Sequence, residues 1–371
     1  MLERAGVSLN AVTKVVSSHP EVLARLYRAG VRVFSDSRVA SGARIREWAE
    51  GVRASDIVAC LLRPPSEGEL DVAVRLFDRF YVSTIEAARA LDEEAARQRK
   101  RIELVLMVET GDEREGFLED ELSEGIASLS SPGVLTNADV VGLGTNQACL
   151  TGKGPEPAEI VRFRKLTEKC CGSGALCSAG NSSALYLVKK RLWPRNSVPV
   201  VEELRVGEAL FLGWDTVSYE PIAGLATDAF EVAAEVLEVR TKGYGKMQVL
   251  AALGRADIAE GRIYPLDMRL REIRRSSDHC VFVLNEERDS QKQAKKEGAR
   301  ENEGSERSET SASGEGEAIR DRAAAAVANG FCGDTAGGLP LKPGDVVRCG
   351  VSYFALLAAM VSPYVTKRFV D

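Results

Sequence analysis

Short apolar, β-branched runs alternate along the first 212 positions with segments whose apolar residues recur at helical spacing. Eight runs read as strands: VSLNAVTKV from residue 7, VRVFSD from 31, DIVACLLR from 56, RFYVST from 79, IELVLMVE from 102, DVVGLGTN from 139, GALCSAGNS from 174 and LRVGEALFL from 204. They are close to continuously apolar, as strands covered on both faces must be. Between them lie stretches such as PEVLARLYRAG, with a proline opening a helical pattern and a glycine closing it. Eight strand–helix units predict an α/β fold, a parallel (β/α)8 TIM barrel over residues 1–212. An open, doubly wound sheet is the alternative, and eight units favour closure.

From residue 213 to 371 the pattern changes to longer strands without intervening helices: FEVAAEVLEVRT, KMQVLAALG, HCVFVLN and DVVRCGVSYFALLAAM. These predict a mainly antiparallel β domain. Residues 286–318 interrupt it with a run free of Val, Ile, Leu, Met, Cys and aromatic residues. Such a run cannot offset its ordering entropy by burial, so it is expected to be a disordered, dispensable surface insertion.

Composition narrows the class without changing the architecture. A chain of 371 residues, 44% hydrophobic and 28% charged, is long enough for two globular domains. No apolar run approaches the roughly 18 residues of a membrane span, and the N-terminus lacks a signal-peptide pattern, so a cytoplasmic protein with no membrane partner is expected. A net charge of −6 with no basic stripe argues against nucleic acid. The eight cysteines are scattered and form no CxxC pair, which predicts reduced thiols and no metal site.

In a barrel of this kind the chemistry gathers at the carboxyl ends of the strands. Polar residues stand at those ends here: Lys14, Asp36 with Arg38, Arg63, Glu109, Asn146, Asn181 with Ser182, and Arg205. Lys14 interrupts an apolar run, where it either snorkels to the rim or serves as a poorly hydrated, nucleophilic amine. The bland alternative for Arg205 is pairing with a neighbouring carboxylate such as Glu208. The small residues of SAGNSSAL and LRVGEALFLG lie near the ends of strands seven and eight, where barrels often hold phosphate. A lysine facing a phosphate site across a barrel mouth describes a pocket for pyridoxal 5'-phosphate.

Taken together, AVTKVV, DSRV, LLRPP, LMVETGDEREGF, GLGTNQAC, SAGNSSAL, LRVGEALFLG, SSDH and VSYFALLAAMVSPYV make the chain resemble the alanine racemase-like, fold-type III pyridoxal phosphate enzymes, most closely their alanine/ornithine racemase branch. The resemblance implies that Lys14 carries the cofactor as a Schiff base and acts as a base on one face of the substrate. It implies that Ser182, Gly207 and the backbone at Glu208 hold the phosphate with the Tyr353 hydroxyl, and that Asn181 lines the same pocket. Arg205 corresponds to the arginine that faces the pyridine nitrogen; a guanidinium there stays protonated and keeps the ring a weak electron sink. Arg114 matches the arginine near the phenolic oxygen and the substrate carboxylate, and Asn146 stands where alanine racemases carry a ring-stacking histidine. A homodimer is implied as well.

The sequence departs from that pattern at several points. Met107 occupies the place of a carbamylated lysine, and Arg255 in GRAD stands where alanine racemases have the tyrosine base of the opposite face. The chain also begins almost at the lysine strand, so a preceding helix and strand are expected to be missing. SSDH is the replacement source for the second base. His279 is the candidate base and Asp278 the candidate anchor for a distal substrate ammonium, with Ser276, Ser277 and a water held by Arg255 as rivals. The expected function is racemisation of a free amino acid substrate: ornithine, another basic amino acid, or alanine. The alternative is a non-catalytic carrier of the cofactor built from the barrel alone, which the added β domain disfavours.

Overall fold

The computed structural model describes residues 2–129, 131, 133–147, 154–189, 201–218, 220–242, 246–284 and 341–370. The insertion at 286–318 and the alanine-rich stretch after it lie outside these residues. The chain divides into two compact units, Met1–Val217 and Ser218–Val370.

In the first unit eight parallel strands form a closed barrel in sequence order. They are β1 (Ser8–Val12), β2 (Val33–Asp36), β3 (Val58–Leu61), β4 (Arg79–Val82), β5 (Ile102–Met107), β6 (Ala138–Thr145), β7 (Leu176–Ala179) and β8 (Glu203–Val206). Closure is made by β1 against β8, with Ala11 opposite Val206. The helices that follow the strands are α1 (Pro20–Arg28), α2 (Val39–Val52), α3 (Leu70–Leu76), α4 (Ile85–Gln98), α5 (Glu119–Leu129), α6 (Pro157–Cys171), α7 (Leu185–Lys189) and α8 (Glu208–Leu212). Each predicted strand is present, and the first and the eighth end well before their apolar runs do. β1 stops at Val12, and Thr13–Val16 turns as a 3₁₀ helix although Thr13, Val15 and Val16 are β-branched. β8 stops at Val206; beyond Gly207 the chain EALFL, rich in helix formers, coils into α8.

The second unit is a six-stranded antiparallel sheet among the described residues, in the order β11-β14-β9-β10-β13-β12. Its strands are β9 (Glu231–Lys242), β10 (Lys246–Ala251), β11 (Ile263–Pro265), β12 (Leu270–Arg275), β13 (Cys280–Leu284) and β14 (Val346–Val351). One turn of helix, α9 (Arg255–Ile258), follows β10. The run DVVRCGVSYFALLAAM is not one strand. β14 ends at Val351, Ser352 accepts a hydrogen bond from the Ala355 amide, and Tyr353–Val361 forms a helix, α10. A serine cap followed by Leu, Ala and Met favours helix over strand. No helix of the described residues is long and apolar enough to cross a membrane.

Candidate active site

Because all eight barrel strands run parallel, their carboxyl ends share one rim. The turn after β1 presents Lys14, half-buried between the buried Thr13 and Val15. Its backbone is held by a chain of hydroxyls. Thr13 Oγ1 lies 2.8 Å from Ser18 Oγ, and Ser18 donates to Asp36 Oδ2 at 3.0 Å. Asp36 Oδ1 accepts the amides of Ser37 at 2.6 Å and Arg38 at 2.9 Å. Burial pushes the Asp36 carboxyl up, against the pull of these donors. Ser17 and Ser18 both have positive φ, 51° and 47°, a conformation that non-glycine residues adopt only when their surroundings impose it. His19 then caps α1, accepting from the Glu21 amide at 3.3 Å.

β8 flanks β1, so the turn after β8 faces the lysine turn. Gly207 begins it, and Glu208 follows as the first residue of α8. Burial pushes the Glu208 carboxyl up, while the charge of Lys14 works to lower it. The Ala209 amide donates to Ser182 Oγ at 3.1 Å, which joins the turns after β7 and β8. Asn181 links the neighbouring strand ends: its Nδ2 donates to the Gln147 carbonyl at 2.6 Å, and its Oδ1 accepts the Ser183 amide at 2.9 Å.

Arg205 is 4% exposed and points into the barrel below the rim. Its Nη1 donates to the Ser178 carbonyl at 2.7 Å and to Ser178 Oγ at 2.6 Å; its Nη2 donates to the Thr145 carbonyl at 2.5 Å and to Asn146 Oδ1 at 3.1 Å. It is therefore not the partner of Glu208. Asn146 passes the connection on, donating to Glu115 Oε1 at 2.9 Å, and Glu115 is ion-paired with Arg114. Arg114 and Glu115 lie in the loop after β5, whose ends are pinched together by Glu109 N to Phe117 O at 3.0 Å and Phe117 N to Met107 O at 2.8 Å. Gly116 closes this loop at φ 145°, and a Cβ there would stand 2.4 Å from the Glu109 nitrogen. Burial works to raise the Glu109 carboxyl, but the amides of Gly111, Arg114, Glu113 and Asp112 outweigh it and hold the group below its ordinary value. Glu109 thus organises the loop that presents Arg114.

The remaining candidates belong to the second unit. Asp278 and His279 occupy the turn of the β12–β13 hairpin, Asp278 exposed and His279 half-exposed. Ser277 donates to Asp278 Oδ2 at 2.6 Å, and His279 N donates to Ser276 Oγ at 3.1 Å. The hairpin is clamped to α9: the amides of Arg255 and Ala256 donate to the carbonyls of Ser276 and Ser277, both at 2.9 Å. A Cβ on Gly254 would fall 2.0 Å from the Ser277 oxygen, so no larger residue fits. SSDH and GRAD, read separately from sequence, are one packed unit. Arg255 is engaged by Glu260 at 2.5 Å and by the Arg275 carbonyl at 2.5 Å. Tyr353 is the first residue of α10.

The structure also brings in residues that the motif reading passed over: Glu115, Gln147, Ser178, Tyr81 and Glu203. Gln147 bears directly on whether the rim suits a cofactor. It is 8% exposed, yet its Oε1 is buried with no hydrogen-bond partner among the described residues. A Cβ on Gly180 would be 3.8 Å from that oxygen, which places it at the end of β7 beside Asn181 and Ser182. A buried amide left unsatisfied at the strand ends is what a polar ligand completes. Together with a half-buried amine and a fixed guanidinium, it fits a ligand such as pyridoxal phosphate.

Known proteins resemble the chain along most of its length. The family described as alanine racemase, N-terminal domain, matches residues 2–214. The lysine racemase of Thermotoga maritima is 27% identical over 392 aligned positions, covering 99% of this chain and 92% of the relative. The ornithine racemase of Acetoanaerobium sticklandii is 25% identical over 318 positions, covering 79% of this chain and 86% of the relative. The structure of alanine racemase from Bartonella henselae with covalently bound pyridoxal phosphate superposes with a TM-score of 0.56 at 17% identity, covering 76% of this chain and 80% of that one.

Proposed function

The chain belongs to the alanine racemase N-terminal domain family, and on that premise we propose that it is a pyridoxal phosphate-dependent racemase interconverting the L- and D-enantiomers of a free basic amino acid. The observation that carries this reading is the arrangement of the rim: Lys14 beside Glu208 on the β1–β8 side, and Arg205 fixed by four acceptors between β6 and β7. Relatives named for lysine and ornithine support the basic substrate.

Lys14 would hold the cofactor, Arg205 would face its ring nitrogen, and Ser182, Gly207, the Glu208 backbone and Asn181 would accommodate its phosphate end. When bound, the cofactor supplies the electron sink that makes the Cα proton removable. Lys14 Nζ takes or returns that proton on one face. Glu208, with its carboxyl pushed up by burial, is close enough to feel the charge of Lys14, and its role is to exchange a proton with the lysine. Arg114, presented by the pinched β5 loop, binds the substrate carboxylate, and Asn146 holds the position beside Arg205. His279 serves the opposite face, because a neutral imidazole carries both a donor and an acceptor nitrogen. Asp278, exposed on the same turn, receives the distal ammonium. The protein works as a homodimer in the cytoplasm, where the buried free thiols Cys60, Cys177, Cys280 and Cys349 stay reduced.

The test is incubation of the pyridoxal phosphate-loaded protein with single-enantiomer ornithine, lysine, arginine and alanine, followed by chiral chromatography. Appearance of the opposite enantiomer of a basic amino acid is expected. Cofactor binding without racemisation of any of them would favour the carrier reading.

A further inference from the structure

The interior of the barrel below the rim is charged where an apolar plug is the rule. Glu203, 1% exposed, lies two residues before Arg205 on β8, so both side chains point inward. Its Oε1 accepts from Tyr81 OH and from Ser178 Oγ, each at 2.6 Å, and its Oε2 accepts from Arg79 Nη1 at 3.2 Å. Ser178 is the link to the rim, because the same hydroxyl that donates to Glu203 accepts from Arg205 Nη1 at 2.6 Å. Arg79 is tied in turn to Glu103 at 2.7 Å. Along the barrel the charges therefore alternate: Arg205, Glu203, Arg79, Glu103. Asn10 extends the group by donating to Tyr81 OH at 3.2 Å, and the Arg205 guanidinium lies 5.1 Å from the Tyr81 ring centroid.

A buried ion costs several kcal/mol of lost hydration and persists where its neighbours compensate it. Among the described residues, the acceptors in direct contact with Arg205 are neutral: the Ser178 and Thr145 carbonyls, Ser178 Oγ and Asn146 Oδ1. Two carboxylates lie one side chain away: Glu115, beyond Asn146, is already ion-paired with Arg114, which leaves Glu203, beyond the Ser178 hydroxyl, to answer the charge. We propose that Glu203 is a positioning residue for Arg205: through Ser178 it fixes the guanidinium, and as its buried counter-charge it sets how strongly Arg205 acts on the cofactor nitrogen it faces. This inference rests on the racemase reading above.

Four ionisable side chains face or flank Glu203: Cys60 of β3, Arg79 and Tyr81 of β4, and Arg205 of β8, with Glu103 of β5 behind Arg79. Burial first, and then Glu203 itself, pushes the Tyr81 phenol well above its ordinary value. Tyr81 stays a donor across the working range, so it does not blur a titration of the cofactor.

The experiment is a pH titration of the bound cofactor's visible absorbance in four proteins: unaltered, Glu203→Gln, Arg205→Gln and the double variant. Without its counter-charge the Arg205 guanidinium acts more strongly against protonation of the cofactor, so Glu203→Gln should lower the midpoint by about one pH unit, and the shift should vanish in the Arg205→Gln background. Glu203→Asp, which keeps the charge, should restore most of the midpoint. An unmoved midpoint in Glu203→Gln, or an equal shift with and without Arg205, overturns the inference. If Glu203→Gln does not fold, Arg79→Gln with Glu203→Gln leaves no unpaired Arg79 and takes its place, with the same expected direction. If the protein takes up no pyridoxal phosphate, the racemase reading falls by itself, and crystal structures of the unloaded proteins decide the pairing. Release of Arg205 from Ser178 in Glu203→Gln supports it; an unmoved guanidinium refutes it.

Discussion

Ser18 donates its hydroxyl to Asp36 at 3.0 Å, tying the end of the lysine turn to the end of β2. The serine is fully buried and Asp36 is 1% exposed. Asp36→Ala should therefore strand the buried donors of Ser18, Ser37 and Arg38 and cost about 2–3 kcal/mol of stability in urea unfolding. The loosened turn should also slow borohydride trapping of added pyridoxal phosphate by about tenfold, since small displacements of a reacting group carry large rate penalties. Trapping at the original rate would show that the pair holds the fold and not the amine.

Lys14→Ala should abolish the visible absorbance of bound cofactor and the adduct fixed by borohydride. Peptide mapping of the unaltered protein should find the pyridoxyl group on Lys14; finding it on another lysine ends the assignment.

Glu208 gives a pH-dependent prediction. Its carboxyl is raised in the folded state, so its contribution to stability is fully present below the ordinary carboxylate value and is lost as pH rises through the folded value. Glu208→Gln, which cannot ionise, should then match the unaltered protein in acid and become the more stable of the two toward neutral pH. The measurement is urea unfolding of both proteins across a pH series, and a gap that widens toward acid contradicts it. If Glu208 also exchanges protons with Lys14, the same variant should lower kcat more than it raises KM.

His279→Ala should slow interconversion in both directions while leaving the cofactor spectrum intact. Deuterium uptake at Cα from solvent should then persist from one enantiomer only, and undiminished racemisation would remove the imidazole from the chemistry. Asp278→Ala should mainly raise KM, by about tenfold for ornithine or lysine and little for alanine, as expected when one ionic contact to a distal ammonium is lost.

The barrel was legible because its eight strands are covered on both faces, and coverage leaves an almost unbroken apolar record in the sequence. Where the record misleads, tertiary bonds decide. TKVV has the residues of a strand, yet the Thr13, Ser18 and Asp36 contacts coil it into a turn. β12, with the sequence LREIRR, was missed because an edge strand guarded by charge looks like a loop. α10 was signalled by Ser352 ahead of a Leu- and Ala-rich run, a cap hidden by the β-branched residues before it. At the site, Lys14, Arg205, Asn146 and Asn181 could be picked out because polar residues at strand ends stand out. Glu203 could not, since a glutamate in VEELRV looks solvated. Its signal was parity: two charged residues two apart on a strand with no wet face must both point inward.

The closure of β1 against β8 makes Lys14 and Glu208 neighbours although they come from opposite ends of the barrel sequence. A ribosome delivers the first strand long before the last, so the lysine leaves the exit tunnel without the elements that flank it. Until β8 is in place, the amine lacks Glu208 as a neighbour. On the function proposed above, competence at this rim needs the eighth strand in place. A prematurely terminated chain ending before Glu203 would carry the lysine as an inert passenger.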